Sequence, residues 1–287
     1  MMSMPMETIT EDGELARAGF YWRVRDRLRA LACAPLERAG FVNAFSTRAG
    51  GVSAFPENSL NLAGFSDDAA ANIHENRRRF LALLPGAWTL AAAWQVHGRE
   101  VCVVRDGETA TQTEQQHCDA LTTNAPGVLV GVKTADCVPV LLGDARSGAC
   151  AAVHAGWRGT AQSIVVRALE RMRAEYGTRP AEVHAAMGPA ALQCCYEVGR
   201  EVIEAFRADF PDADELFAPT RPGHARIDLH TANRRQLVSA GVPPAHIHAA
   251  PLCTICRPDL FFSYRRDKKL YGRTGRLLSV VGMMNVA

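Results

Sequence analysis

The chain has almost no surplus of charge. Its 32 Lys and Arg stand against 30 Asp and Glu, a formal net charge of +2 over 287 residues. The basic runs at Arg77–Arg79 and Arg265–Arg266 are short and far apart, so no stripe for a nucleic-acid backbone is expected. Long apolar runs are absent as well. The uncharged stretches 80–98 and 236–256 carry Pro85-Gly86 in one and Pro243, Pro244 and Pro251 in the other, which argues against membrane helices and a membrane partner. The amino-terminal MMSMPMETITEDGELARAG lacks a basic flank followed by an apolar core. No secretory signal is expected, and the cytoplasm is the expected compartment. Internal repeats and composition-biased linkers are missing too, so one mixed α/β domain is expected.

The rest of the composition is that of an ordinary globular protein with enough chain to bury a core, apolar residues making up 48%. Nine cysteines is an odd number; without a signal segment they are expected to be reduced, and some are free to act as ligands or nucleophiles.

Hydropathy patterning divides the chain. Residues 1–40 show no sustained periodicity and read as an extension ahead of a catalytic domain spanning 41–287, which opens with a strand near Phe41–Ser46. Ser66-Asp67-Asp68 reads as the cap and acidic first turn of a helix that stops at Pro85-Gly86. Runs 88–96 and 100–104 read as strands. Runs 127–133, 137–142 and 149–153 are continuous stretches of small and β-branched residues, the pattern of strands covered on both faces. Thr160 reads as the cap of a helix whose Ile164, Val165, Ala168, Leu169 and Met172 keep helical spacing as far as Tyr176-Gly177. A strand at 182–187, helices at 197–208 and 228–240, and a closing strand at 276–282 follow.

Three chemically capable residues sit at the ends of these strands: His97 in WQVHG, Cys137 in KTADC and His154 in AAVHAGWRG. Strand ends are where α/β folds place their sites. The three are too far apart in sequence for a local metal knuckle, so only the fold can bring them together. If they converge, two imidazoles and a thiolate make a three-ligand set that leaves a fourth zinc position open, as in catalytic sites. By spacing alone the reading as hydrogen-bonded core histidines and a small buried thiol is favoured over a ligand set.

The loop HAGWRGT (154–160) flanks Arg158 with Gly156 and Gly159 ahead of a helix, an arrangement suited either to a phosphate or to a plain strand-to-helix turn. STRAGG (46–51) repeats the theme with Arg48. Cys194-Cys195 and C-T-I-C (253–256) suggest a four-cysteine zinc ribbon. Adjacent cysteines are poorly placed to share one ion, however, and the second C-x-x-C is missing, so these thiols are read as packing.

Taken together, FSTRAGGVS, SLNL, WQVHG, CDALTT, KTADCVPVLL, AVHAGWRGT, MGPAALQCCYEVG, CTICRPDLFFSYRRD and GRTGR resemble the YfiH-like family, once labelled multicopper polyphenol oxidases or laccase-like proteins. The resemblance implies a layered α/β/β/α domain and a zinc, with copper binding also allowed, held by His97, Cys137 and His154. It implies phosphorolysis of adenosine, inosine, guanosine and methylthioadenosine by a monomer, with adenosine deamination as a further activity. Arg48 and Arg158, with the amides around Gly156 and Gly159, are the expected phosphate contacts, and Asp136 is a candidate for stabilising the departing purine. The resemblance also allows a cysteine or zinc hydrolase that edits peptidoglycan precursors. A four-copper oxidase is excluded by counting, since nine His with one H-x-H pair, His246-Ile-His248, cannot supply its ligands.

Overall fold

The three apolar runs at the centre of the chain become long strands of two facing sheets in the computed structural model, which describes residues 11–63 and 68–284. In chain order the strands are β1 (Phe20–Arg25), β2 (Leu28–Cys33), β3 (Phe41–Ser46), β4 (Ala49–Ser53), β5 (Thr89–Ala92), β6 (Val101–Val103), β7 (Ala120–Thr123) and β8 (Val128–Thr134). They continue as β9 (Val138–Asp144), β10 (Ala149–Ala155), β11 (Val183–Met187), β12 (Glu197–Gly199), β13 (Phe217–Pro219), β14 (His224–Ile227), β15 (Ile247–Ala249) and β16 (Leu277–Met283). The helices are α1 (Glu11–Arg17), α2 (Ala34–Arg38), α3 (Ala70–Leu81), α4 (Ala110–Thr113), α5 (Trp157–Ala161), α6 (Ile164–Tyr176), α7 (Arg200–Asp209), α8 (Leu229–Ser239) and α9 (Tyr264–Tyr271).

One sheet runs β1-β2-β3-β16-β8-β5 and the other β15-β11-β9-β10-β7-β6; a small third sheet pairs β12, β14 and β13. Alternation along each strand separates three apolar layers. On β9, Val138, Val140 and Leu142 pack with Ile164, Val165, Ala168, Leu169 and Met172 of α6, outside the second sheet. Leu141 of the same strand faces inward with Phe41, Phe45, Val130, Val132 and Val281, and this layer is the seam between the sheets. Outside the first sheet, Phe80 of α3 joins Leu129, Leu278 and Val280. The result is the expected α/β/β/α sandwich. No helix among the described residues is long and apolar enough to cross a membrane.

The sheets approach closely. A Cβ on Gly143 of β9 would lie 2.5 Å from the Phe41 ring, so only glycine lets that aromatic ring lie across the strand.

Several local expectations are revised. Residues 20–33, expected to belong to an extension, form β1 and β2; β2 pairs with β3 through Ala30↔Ser46 and Leu31↔Phe45. Leu31, Cys33 and Leu36 are fully buried in the seam. The segment LRALACAPLERAG has an alanine- and arginine-rich composition that disfavours strand, and pairing with β3 overrides it. Thr160 is not a cap: it is buried inside α5, whose cap position is Gly156, and a left-handed residue, Ser163 at φ 59°, separates α5 from α6. The strand expected at 88–96 ends at Ala92, which leaves residues 93–100 to form a loop. Of the Ser66-Asp67-Asp68 cap, Ser66 and Asp67 lie outside the described residues. Asp68 accepts from Ala69 N at 2.8 Å and from Asn72 Nδ2 at 2.9 Å.

Candidate metal centre

The chain crosses between the two sheets at the centre. Cys137 occupies the turn from β8 in the first sheet to β9 in the second, and His97 lies in the loop that crosses from β5 to β6. His154 stands near the end of β10, opposite Pro139 of β9. The candidate ligand atoms of His97, Cys137 and His154 all lie within 4.8 Å of one another. The two imidazoles meet edge-on with ring centres 4.9 Å apart. His154 is buried, Cys137 half-buried and His97 exposed, so the cluster opens to solvent on the His97 side.

Both crossing turns use left-handed backbone at non-glycine residues, His97 at φ 60° and Asp136 at φ 96°. Such conformations persist only where the surroundings hold them. At His97 the holder is Asp119, of CDALTT, which is fully buried. Its Oδ1 accepts from His97 N at 2.9 Å, and its Oδ2 accepts from Gly98 N at 2.7 Å and Val96 N at 3.1 Å. The same Oδ1 lies 2.7 Å from His154 Nδ1. This fixes the ring and leaves Nε2 for Cys137 or a metal, the carboxylate–imidazole support usual behind metal-binding histidines. Burial tends to raise the Asp119 pKa, but His154 and the backbone amides prevail and hold the carboxyl below its ordinary value. Asp119 is the functional residue that sequence reasoning missed. Its only signal was its place in the CDALTT motif, and its partner is set by the Val153↔Ala120 register of β10 with β7.

Burial would raise the Cys137 thiol, but His154 and His97 outweigh it and bring the pKa down to about 6. Burial likewise lowers His154, yet the anions of Cys137 and Asp119 raise it to about 9. Without a cation the cluster therefore holds a thiolate beside an imidazolium. A metal would replace the imidazolium proton as the counter-charge, since ligands bind deprotonated.

Asp136, a candidate for purine stabilisation, has both oxygens engaged: Oδ1 accepts from Thr254 Oγ1 at 2.7 Å, and Oδ2 from Ser263 Oγ at 3.0 Å and Arg265 N at 2.7 Å. It anchors the Cys137 turn. Gly156 borders the cluster, and a Cβ there would lie 3.1 Å from Cys137 Sγ and 3.4 Å from His97 Cδ2. Gly159 packs α5 against the His97 loop, its Cβ position 3.0 Å from Gly98 O. Both glycines are buried, and Thr160 N already donates to Gly156 O at 2.8 Å.

The two arginines expected at a phosphate are in different surroundings. Arg158 is exposed, stacks over Trp157 at 4.2 Å and makes a solvated pair with Glu201 at 3.2 Å. Its charge acts on Tyr196, whose hydroxyl pKa is raised by burial and by Cys137 and Asp136, while Arg265 and Arg158 oppose the rise. Arg265 lies over the Tyr196 ring at 5.2 Å, and the charges of Cys137, Asp136 and Arg158 also reach the Tyr196 hydroxyl. Neither Tyr196 nor Arg265 stood out in the sequence. Arg48 instead donates to Pro258 O at 2.8 Å and lies 5.4 Å from the Phe262 ring centre; among the described residues no hydrogen bond or ion pair joins it to the three-residue cluster. A second expectation is overturned at the cysteines. Cys194 and Cys256 are exposed rather than buried, and the sulfurs of Cys194, Cys195, Cys253 and Cys256 gather within 4.8 Å of one another.

Residues 42–284 match the family model described as multi-copper polyphenol oxidoreductase laccase. The chain belongs to this YfiH-like family. The crystal structure of the hypothetical protein YfiH of Bacillus licheniformis superposes with a TM-score of 0.84 at 32% identity, covering 91% of this chain and 98% of that one. Purine nucleoside phosphorylase YlmD of Geobacillus stearothermophilus is 36% identical over 88% of this chain and 93% of its own length. Adenosine deaminase RL5, from an unknown prokaryotic organism, is 39% identical over 81% of this chain and 92% of its own. The family-model match begins at Val42, after β1 and β2, which complete the first sheet here.

Proposed function

We propose that this YfiH-like protein is a purine nucleoside phosphorylase that takes adenosine, inosine, guanosine or methylthioadenosine, with zinc held by His97, Cys137 and His154. The observation that carries the reading is the open, Asp119-braced His₂Cys cluster in a chain related to an enzyme named for this activity. The donor set fits zinc. A thiolate and two imidazoles converge, one imidazole already fixed through Nδ1, and Gly156 leaves the clearance beside the sulfur that a Cβ would fill. Bound there, zinc supplies a Lewis acid with one coordination position left free.

The protein groups do the remainder. Phosphorolysis moves a phosphate oxygen lone pair to the ribose anomeric carbon while the carbon–nitrogen bond breaks, its electron pair leaving with the purine, which takes up a proton. Arg158 and Arg265, whose charges both act on Tyr196, meet the phosphate charge. The exposed Arg158–Glu201 pair is worth only about 0–1 kcal/mol and yields readily to a doubly charged anion. Asp136 and Asp119 hold the two crossing turns in place, and His154 keeps the Cys137 sulfur ionised.

A thiolate and imidazolium braced by an aspartate also fit a cysteine hydrolase acting on peptidoglycan precursors. The test is to incubate purified protein with adenosine, inosine or methylthioadenosine, with and without phosphate, and to identify products by mass. Free base with ribose 1-phosphate, or its methylthioribose equivalent, is expected only when phosphate is present. Arg158→Ala is expected to raise KM for phosphate at least tenfold while leaving KM for the nucleoside nearly unchanged. Inosine as the sole product from adenosine would assign deaminase chemistry instead. Base release independent of phosphate, or activity that survives complete zinc removal, would favour the hydrolase.

A further inference from the structure

We propose that Cys194, Cys195, Cys253 and Cys256 form a second metal site, which holds one structural zinc by four thiolates and clamps together the two loops that hold the Asp136–Cys137 turn. The four sulfurs all lie within 4.8 Å of one another. Cys256 Sγ is 3.7 Å from Cys194 Sγ and 3.2 Å from Cys195 Sγ. Zinc–sulfur bonds of about 2.3 Å in a tetrahedron require sulfur–sulfur edges of about 3.8 Å, so small side-chain movements enclose an ion.

Packing does not account for the cluster. Cys194 and Cys256 are exposed and Cys195 is half-buried, whereas a thiol that serves as a small hydrophobe belongs inside. Four sulfurs gathered this closely suit a soft, four-coordinate ion, and full occupation by protein ligands is the mark of a structural rather than a catalytic zinc. The local backbone removes the difficulty that adjacent cysteines present. The amides of Cys195 and Tyr196 both donate to Leu192 O at 2.9 Å, a tight turn that brings both sulfurs to the same side as Cys256. The other half is a C-x-x-C turn, the spacing of a zinc knuckle.

What the ion would hold together follows from its neighbours. Thr254, inside the C-x-x-C turn, donates to Asp136 beside Cys137 at 2.7 Å. Ala191 N also donates to Asp136 O at 2.8 Å. The four-sulfur ion thus ties both loops to the turn that presents the Cys137 ligand. None of this depends on which reaction the first centre performs.

The test counts metal in the full-length chain purified from zinc-supplemented cells under reducing conditions. Two zinc ions per chain are expected in the wild type, one in Cys137→Ala, one in Cys256→Ala and none in the double variant, with folding checked by circular dichroism. Because Cys256 is exposed, its substitution removes no core atoms. As a second readout, Cys137→Ala reloaded with cobalt(II) alone is expected to show the intense sulfur-to-cobalt absorption of a tetrathiolate site, lost on adding Cys256→Ala. One zinc in the wild type and the same one in Cys256→Ala would overturn the proposal, as would copper or iron in the second position, or a Cys195–Cys256 disulfide in protein purified without air.

Discussion

Four donors converge on the Asp119 carboxylate, three successive amides and His154 Nδ1. One side chain therefore sets both the left-handed His97 loop and the tautomer of His154. Asp119→Asn keeps the size but turns an amide NH₂ toward groups that are themselves donors. Loss of this kind of support typically weakens a metal by about 10–100-fold, so zinc competition against a chelator is expected to show a drop in that range with native circular dichroism retained. Unchanged affinity would remove Asp119 from the site. The thiol has its own signature. In metal-stripped protein, alkylation of Cys137 is expected to reach half its plateau near pH 6, because its imidazole neighbours hold the pKa at about 6, whereas Cys150, pushed by burial to about 12, stays unlabelled. The sign is that of a depressed acid: the reactive thiolate persists above the folded pKa and is lost as pH falls through it. Mass mapping of the labelled peptides checks this, and labelling of Cys137 that rises only above pH 8 would contradict it.

At the scale of elements, the seam is controlled by pairs such as Gly143 on β9 and Phe41 on β3. A methyl group on Gly143 would meet buried aromatic carbon at 2.5 Å, and neither sheet can retreat without opening the layer that contains Phe45, Leu141 and Val281. Gly143→Ala is therefore expected to destabilise by about 1–3 kcal/mol, the usual range for overpacking. Gly143 lies toward the far end of β9 from Cys137, so the loss should appear in the melting temperature while zinc content stays at the wild-type value. The same strand shows how patterning becomes a site: its alternation is dictated by two covering layers, and its first residue, Val138, follows Cys137 at the point where the chain leaves one sheet for the other.

At the scale of the molecule, the hairpin of β1 and β2 closes the first sheet and puts Leu31 and Cys33 into the seam. A truncation that starts at residue 34 would bare the edge of β3 and the apolar surface that Leu31 covers. It is expected to be insoluble, or to lose its cooperative thermal transition, whereas a dispensable extension would leave both unchanged. Differential scanning calorimetry of the soluble fraction distinguishes the two.

The sequence by itself determined a mixed α/β domain with doubly covered central strands, because the continuous apolar runs at 127–133, 137–142 and 149–153 can be buried only between covering layers, whereas the α/β/β/α layering was implied by the family resemblance and not by the runs. It also singled out His97, Cys137 and His154 as chemically capable, but local position alone favoured buried core residues, and only the family resemblance made them a ligand set. Tertiary structure alone decided what those residues meet. The Asp119–His154 contact depends on the β7–β10 register, Arg48 is engaged by Pro258 O and lies over the Phe262 ring, and the four cysteines were gathered by a turn at 192–196 and the loop at 253–256. Each of these joins residues distant along the chain, where propensity and spacing carry no information and only the closure of two twisted sheets on each other sets the distances.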